Sequence, residues 1–202
     1  MKNLKTLLLA FATILAISSC SKDDEPAIVF PPPVVNETEV LTTVTIVFTP
    51  VSGGTAITLK SRDLDGDGPI TPVITGNTVP FALNKTYNGE VSVLDETKTP
   101  PENVSAAILT EAVDHQFFYQ KTGTLPMFTY TPIATAANNF DSNGKPLGFK
   151  TTFVTTTAAT GALKVTLRHE GNKSAAGVAS GDITNATGAT DFEVTFAGLS
   201  VQ

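Results

Sequence analysis

In the stretch Thr43-Val44-Thr45-Ile46-Val47-Phe48-Thr49, the side chains of Val44, Ile46 and Phe48 fall on one face and those of Thr43, Thr45 and Thr49 on the other. A two-residue period of this kind is the signature of a half-buried strand. Ser52-Gly53-Gly54 supplies a turn, after which Ile57 and Leu59 alternate with Thr58 and Lys60, which predicts a hairpin. The same signal predicts strands over 72–75, 86–95, 116–120, 127–131, 147–156, 163–170 and 192–198, separated by Gly, Asn, Asp and Pro. Nine short strands predict an all-β domain over residues 40–202, a single immunoglobulin-like, Greek-key β-sandwich. One segment, TPPENVSAAILTEAVDH, departs from the pattern. Thr99 stands three residues before Glu102, the capping-box spacing, with proline in the first turn, and Val104, Ile108 and Ala112 recur at i, i+4. It predicts one short helix ending at His115 and lying across one end of the sandwich.

The N-terminus follows a different rule. Lys2 and Lys5 precede an apolar run, Leu7 to Ile17, interrupted only by Thr13. That is the layout of a secretory signal peptide over residues 1–19, and the run is shorter than the ~20 residues of a membrane-spanning helix. Cys20 is the only cysteine, so no internal disulfide can form. Ile17-Ser18-Ser19-Cys20 resembles the lipobox of bacterial lipoproteins, which implies an acylated cysteine at the new N-terminus. Each buried methylene of an acyl chain contributes about 0.8 kcal/mol, so several chains anchor stably where one does not. Lys22, Asp23 and Asp24 are similar to the export signal of surface lipoproteins of the Bacteroidota, which implies the outer membrane with the domain facing the medium. The alternative is a charged linker with the domain on the periplasmic face. Pro31-Pro32-Pro33 favours an extended spacer, completing a tether over residues 20–39.

Composition sharpens two points. Charged residues make up only 16% of the chain while Thr, Ser, Gly and Val recur, a bias toward strands and turns. The formal charge of −6 becomes −8 once Lys2 and Lys5 leave with the signal peptide. Binding to a phosphate backbone relies on a basic surface, so nucleic acid is excluded as a partner.

Two constellations point to cations. Asp63, Asp65 and Asp67 alternate around Gly66, the way calcium loops gather oxygen ligands. Counting from Asp63, however, the twelfth position is Ile74 where an EF-hand needs a bidentate Glu. The choice is between an extracellular-type calcium loop and an acidic turn bonding its own backbone. The chain has two histidines, His115 on the predicted helix with Glu111 one turn earlier, and His169 in phase with Leu163, Val165 and Leu167. With Glu111 or Glu170 they form a candidate zinc or copper site, since imidazole and carboxylate suit those metals. The alternative is a histidine bonded to backbone at a strand end. The long run from Gly171 to Asp191 reads as a binding loop or a mobile excursion, and its Asp182, Asn185 and Asp191 could approach a cation. Phe117-Phe118-Tyr119 reads as a central strand buried on both faces. No G-x-S-x-G, P-loop or H-E-x-x-H motif is present, and no cysteine is left after anchoring.

The phrases SRDLDGDGP, DHQFFYQ, LRHEGNKSAAGV and SGDITNATGATD, behind a Cys-Ser-Lys-Asp-Asp leader, resemble a family of small uncharacterised lipoproteins of the Bacteroidota. Some members carry the label "type 1 periplasmic binding fold superfamily protein", which implies two α/β lobes; the residues here, with one helix, predict an all-β domain instead. Members look to be encoded beside TonB-dependent receptors, which implies an accessory role in capturing a nutrient or metal. The expected function is thus a non-enzymatic binding or accessory module for a TonB-dependent receptor, held to the bilayer through Cys20. A structural or adhesive surface protein is the second reading and a hydrolytic enzyme the third.

Overall fold

A computed structural model describes residues 40–65, 70–131 and 136–202. The predicted signal peptide, Cys20, the export signal at Lys22, Asp23 and Asp24, the tether and Asp67 lie outside the described residues. The elements are β1 (Thr43–Pro50), β2 (Ile57–Arg62), β3 (Val73–Thr75), β4 (Lys85–Asp95), β5 (Glu102–Asn103), α1 (Val104–Thr110), β6 (His115–Lys121), β7 (Phe128–Tyr130), β8 (Lys150–Thr155), β9 (Ala159–His169) and β10 (Ala189–Val201). They form two antiparallel sheets. The larger has the order β3-β2-β1-β4-β8-β7 with β5 beside β4, and the smaller the order β10-β9-β6. The protein is an all-β sandwich, and each of the nine predicted strands is present. Among the described residues no helix is long and apolar enough to cross a membrane.

The alternation explains the core. Val44, Ile46 and Phe48 of β1, Leu59 of β2, and Val91 and Val93 of β4 face Leu163, Val165 and Leu167 of β9 and Phe196 of β10, all buried. At the next inward position of β4 stands Gly89, where a Cβ would lie 2.7 Å from the Phe48 ring. The missing side chain makes room for that ring, which meets Phe81 edge-on at 5.3 Å, while Phe128 stacks on Phe153 at 4.2 Å. The segment Leu147-Gly148-Phe149 joins the sheets: the Leu147 carbonyl accepts from Phe117 N–H of β6, and the Phe149 carbonyl from Val91 N–H of β4.

The structure corrects the sequence reading in two places. Thr99 does not cap the helix. Glu102 and Asn103 are extended and pair with Asp95 and Leu94, and the Glu102 carboxylate accepts from Lys98 Nζ. Ladder pairing satisfies backbone groups that a capping box would otherwise have to serve, so the helix starts later, at Val104. It also ends earlier, at Thr110, and a turn closed by Asp114 N–H to the Glu111 carbonyl leads to His115, which opens β6. The second correction concerns Phe117-Phe118-Tyr119. The strand is buried on both faces, but it is an edge strand, with β9 in the middle of its sheet.

The two faces of β8 give a test. Phe153 is fully buried and Val154 is 45% exposed. Phe153→Ala is expected to cost about 3–5 kcal/mol in urea unfolding, and Val154→Ala to stay within about 0.5 kcal/mol.

Candidate metal centre

His115 and His169 lie directly opposite each other in the β6–β9 ladder, and Ala189 of β10 continues the same row on the other side of His169. Side chains of directly paired residues share a face of the sheet. The two imidazoles stack with centroids 4.5 Å apart and planes 6° from parallel. The register of β10 against β9 then jumps between Thr190 and Phe192, leaving Asp191 as the extra residue of a β-bulge. A bulge re-aims the side chain it carries. Here the carboxylate is directed at both rings, with Oδ2 3.5 Å from His115 Nε2 and Oδ1 3.9 Å from His169 Nδ1.

The three residues are shielded from water, His115 most of all. His115 Nδ1 lies 3.1 Å from the Glu111 carbonyl, which can only accept, so that nitrogen carries the proton. Nε2 is the nitrogen presented to Asp191. An imidazole that donates its far N–H to a backbone carbonyl is oriented in the way metal-bound histidines are. Asp191 Oδ2 is buried and accepts no hydrogen bond from the described residues. A buried carboxylate oxygen without a donor is costly, and a positive charge between it and the ring nitrogens relieves the cost.

One ligand atom from each of the three residues can be chosen so that all lie within 4.8 Å of one another. A tetrahedral ion with ~2.0–2.1 Å bonds to nitrogen and oxygen holds its ligands roughly 3.3 Å apart. The three donors are near enough to share one ion once the side chains rotate toward it. The donor set, two imidazoles and one carboxylate, suits zinc or copper rather than calcium, which collects oxygens.

The pairing of His115 with His169 matches the sequence reading, but the carboxylate differs. The side chain of Glu111 is exposed, and its contribution is the backbone carbonyl. Glu170 adopts φ 53 just past the end of β9 and is also exposed. Neither joins the cluster. Of the three polar residues read in the long loop, Asp191 reaches the histidines, Asp182 accepts from Thr184 N–H to cap a short 3-10 turn, and Asn185 donates to the Ala176 carbonyl. In the acidic turn after β2, Asp65 Oδ2 accepts from Ile70 N–H at 3.0 Å, and Asp63 Oδ1 is buried with no hydrogen-bond partner among the described residues.

The surroundings are fixed by a second buried set. Lys173 Nζ is 3.1 Å from Asp141 Oδ2 and donates to the Ala112 carbonyl, while Asp141 Oδ1 accepts from the amides of Asn143 and Lys145. Burial pushes the Lys173 amine below its ordinary value, and the Asp141 carboxylate opposes the shift. A cleft of about 490 Å³ lies on the outer face of the larger sheet, lined in part by Asn88, Glu90, Lys150 and Thr152. Its charges, Glu90 and Lys150, already pair with each other at 3.5 Å, so it offers a ligand less than the histidine cluster does.

Comparison with known proteins finds no matching family model, no matching curated protein and no matching solved structure.

The buried ion pair yields a prediction. Lys173→Met leaves the Asp141 carboxylate, 1% exposed, without its counter-charge and is expected to cost about 3–5 kcal/mol of stability. Adding Asp141→Asn should return part of that loss in a double-mutant cycle read by chemical unfolding.

Proposed function

We propose that the protein is a lipid-anchored envelope module whose sandwich domain binds a zinc or copper ion without catalysing a reaction, and that it serves as an accessory to a TonB-dependent uptake system. The observation that carries this reading is the convergence of His115, His169 and Asp191 at one end of the smaller sheet. Two imidazoles and a carboxylate drawn from three strands, with the His115 ring already oriented by the Glu111 carbonyl, support a cation site. The N-terminal layout supports anchoring: an apolar run, a lipobox-like Ile17-Ser18-Ser19-Cys20 and a proline-rich spacer. The resemblance to lipoproteins encoded beside TonB-dependent receptors supports an uptake role, and a metal ion is a cargo of suitable chemistry. Binding at the cell surface is consistent with the acidic chain, which concentrates cations near it.

The test has two arms. Calorimetric titration of the full chain in mild detergent is expected to find one zinc or copper ion per chain, with a rise in melting temperature that calcium does not reproduce. At a hundredfold excess over Kd, linkage gives about 2.7 kcal/mol of stabilisation. His115→Ala combined with His169→Ala should abolish both signals; a protein whose melting is indifferent to either ion refutes the metal reading. In the second arm, Cys20→Ala should move the product from the membrane pellet to the soluble fraction. Continued sedimentation with membranes refutes the anchor.

A further inference from the structure

We propose that the bound ion is a latch: occupancy of the His115–His169–Asp191 site holds down the Gly171–Gly188 excursion, which cannot lift from β6 without breaking the site. This rests on the metal reading above and adds to it a regulated element.

The topology carries the inference. His169 is the last residue of β9 before the excursion, and Asp191 follows directly after the chain returns into β10. The two ligands therefore stand on opposite stems of one loop, and His115 belongs to the strand that the loop covers. Backbone pairing already closes the base at Ala189–His169–His115, and an ion shared among the three ligands adds a side-chain tie across it.

The excursion buries little apolar surface of its own. Its own core consists of Phe118 from β6 with Val178 and Ala186, plus the partly buried Ala175 and Ile183. Apart from Lys173, paired with Asp141, the rest is mostly small side chains. Few buried apolar contacts mean a low free energy of local opening.

The stems are also strained. Glu170 at φ 53 and Thr187 at φ 54 occupy the left-handed region, which a β-branched threonine rarely adopts. Gly188 completes the crossing at φ 73, where a Cβ would come within 2.2 Å of the His169 carbonyl oxygen. Such a backbone persists when its surroundings over-determine it, and an ion joining His169 to Asp191 is a constraint placed across these residues.

Linkage makes the latch measurable. Any opening that breaks the site is suppressed by the factor 1 + [L]/Kd, about a hundredfold at one hundred times Kd. Hydrogen exchange of the full chain with zinc, with copper and with chelator reads it out, while calorimetry on the same samples reports binding. The expected result is that the amides of Val178, Gly181, Asp182 and Ala186, all hydrogen-bonded within the excursion, slow by the same factor as core amides such as Val91 of β4. Asp191→Asn should remove the metal-dependent slowing of both groups, and His169→Gln provides an independent second variant. If the ion binds and the core amides slow while the excursion keeps its metal-free rates, opening leaves the site intact; the latch is then overturned and the metal reading stands. If calorimetry finds no binding, both fall.

Discussion

Everything at the histidine end of this molecule depends on an edge strand that is apolar on both faces. Phe117 and Tyr119 of β6 face the main core, and Phe118, pointing the other way, is equally inaccessible to water. Fully burying one such phenylalanine contributes about 1.5–3 kcal/mol, but a three-stranded sheet leaves its outer face bare. The excursion between β9 and β10 supplies the cover, placing Val178 and Ala186 on Phe118. A cover for β6 must leave from the end of β9 beside which β6 begins and return there. That requirement puts His169, the returning Asp191 and the opening His115 in one place, so the histidine–carboxylate cluster lies at the base of the excursion.

A cover made of small residues has little apolar surface of its own, and polar contacts fix it instead. Gln116, on the same outward face as Phe118, donates to the Val178 carbonyl and to Tyr130 Oη. Lys173 reaches down to Asp141 and Ala112. On the neighbouring connection Asn139 bridges two strands, donating to the carbonyls of Thr131 and Lys150 and accepting from Lys150 N–H. These groups are specific about geometry in a way that apolar contacts are not, because a buried donor or acceptor left unpaired costs more than a made bond contributes. The consequence is a loop end with a defined shape and a low reserve of burial energy, the combination expected of an element that responds to a ligand.

The strands were legible because half-buried sheet imposes a period of two, and Val44, Ile46 and Phe48 or Leu163, Val165 and Leu167 keep it without interruption. The same regularity carried His169 correctly to the inward face. What the chain does not spell out is pairing. His115 and His169 meet through the β6–β9 register, which depends on long-range contacts, and Asp191 meets them through a bulge, which no local pattern marks. Glu111 and Glu170 were nearer in sequence, and sequence distance misled for a physical reason: residue 170 has already left the sheet in a left-handed turn, and residue 111 sits in a turn that contributes its carbonyl. The helix start failed similarly, since Thr99-x-x-Glu102 has the spacing of a capping box whether or not a strand competes for Glu102 and Asn103.

The arrangement of the rings bears on what the site is for. With both imidazoles neutral, the cluster holds one negative charge out of water, and either a proton or a metal ion would offset it. Asp191 spans both rings, with Oδ2 near His115 Nε2 and Oδ1 near His169 Nδ1, and the rings stack 4.5 Å apart. A dication at the proposed site would engage both rings and the carboxylate together, and would turn the imidazoles out of their parallel stack, because each ring nitrogen presents its lone pair in its own ring plane. His115 is pinned by its Nδ1–H to the Glu111 carbonyl, so the movement falls on His169, the residue at the stem of the excursion. In the proposed site, coordination and the position of the loop would be coupled through that one side chain.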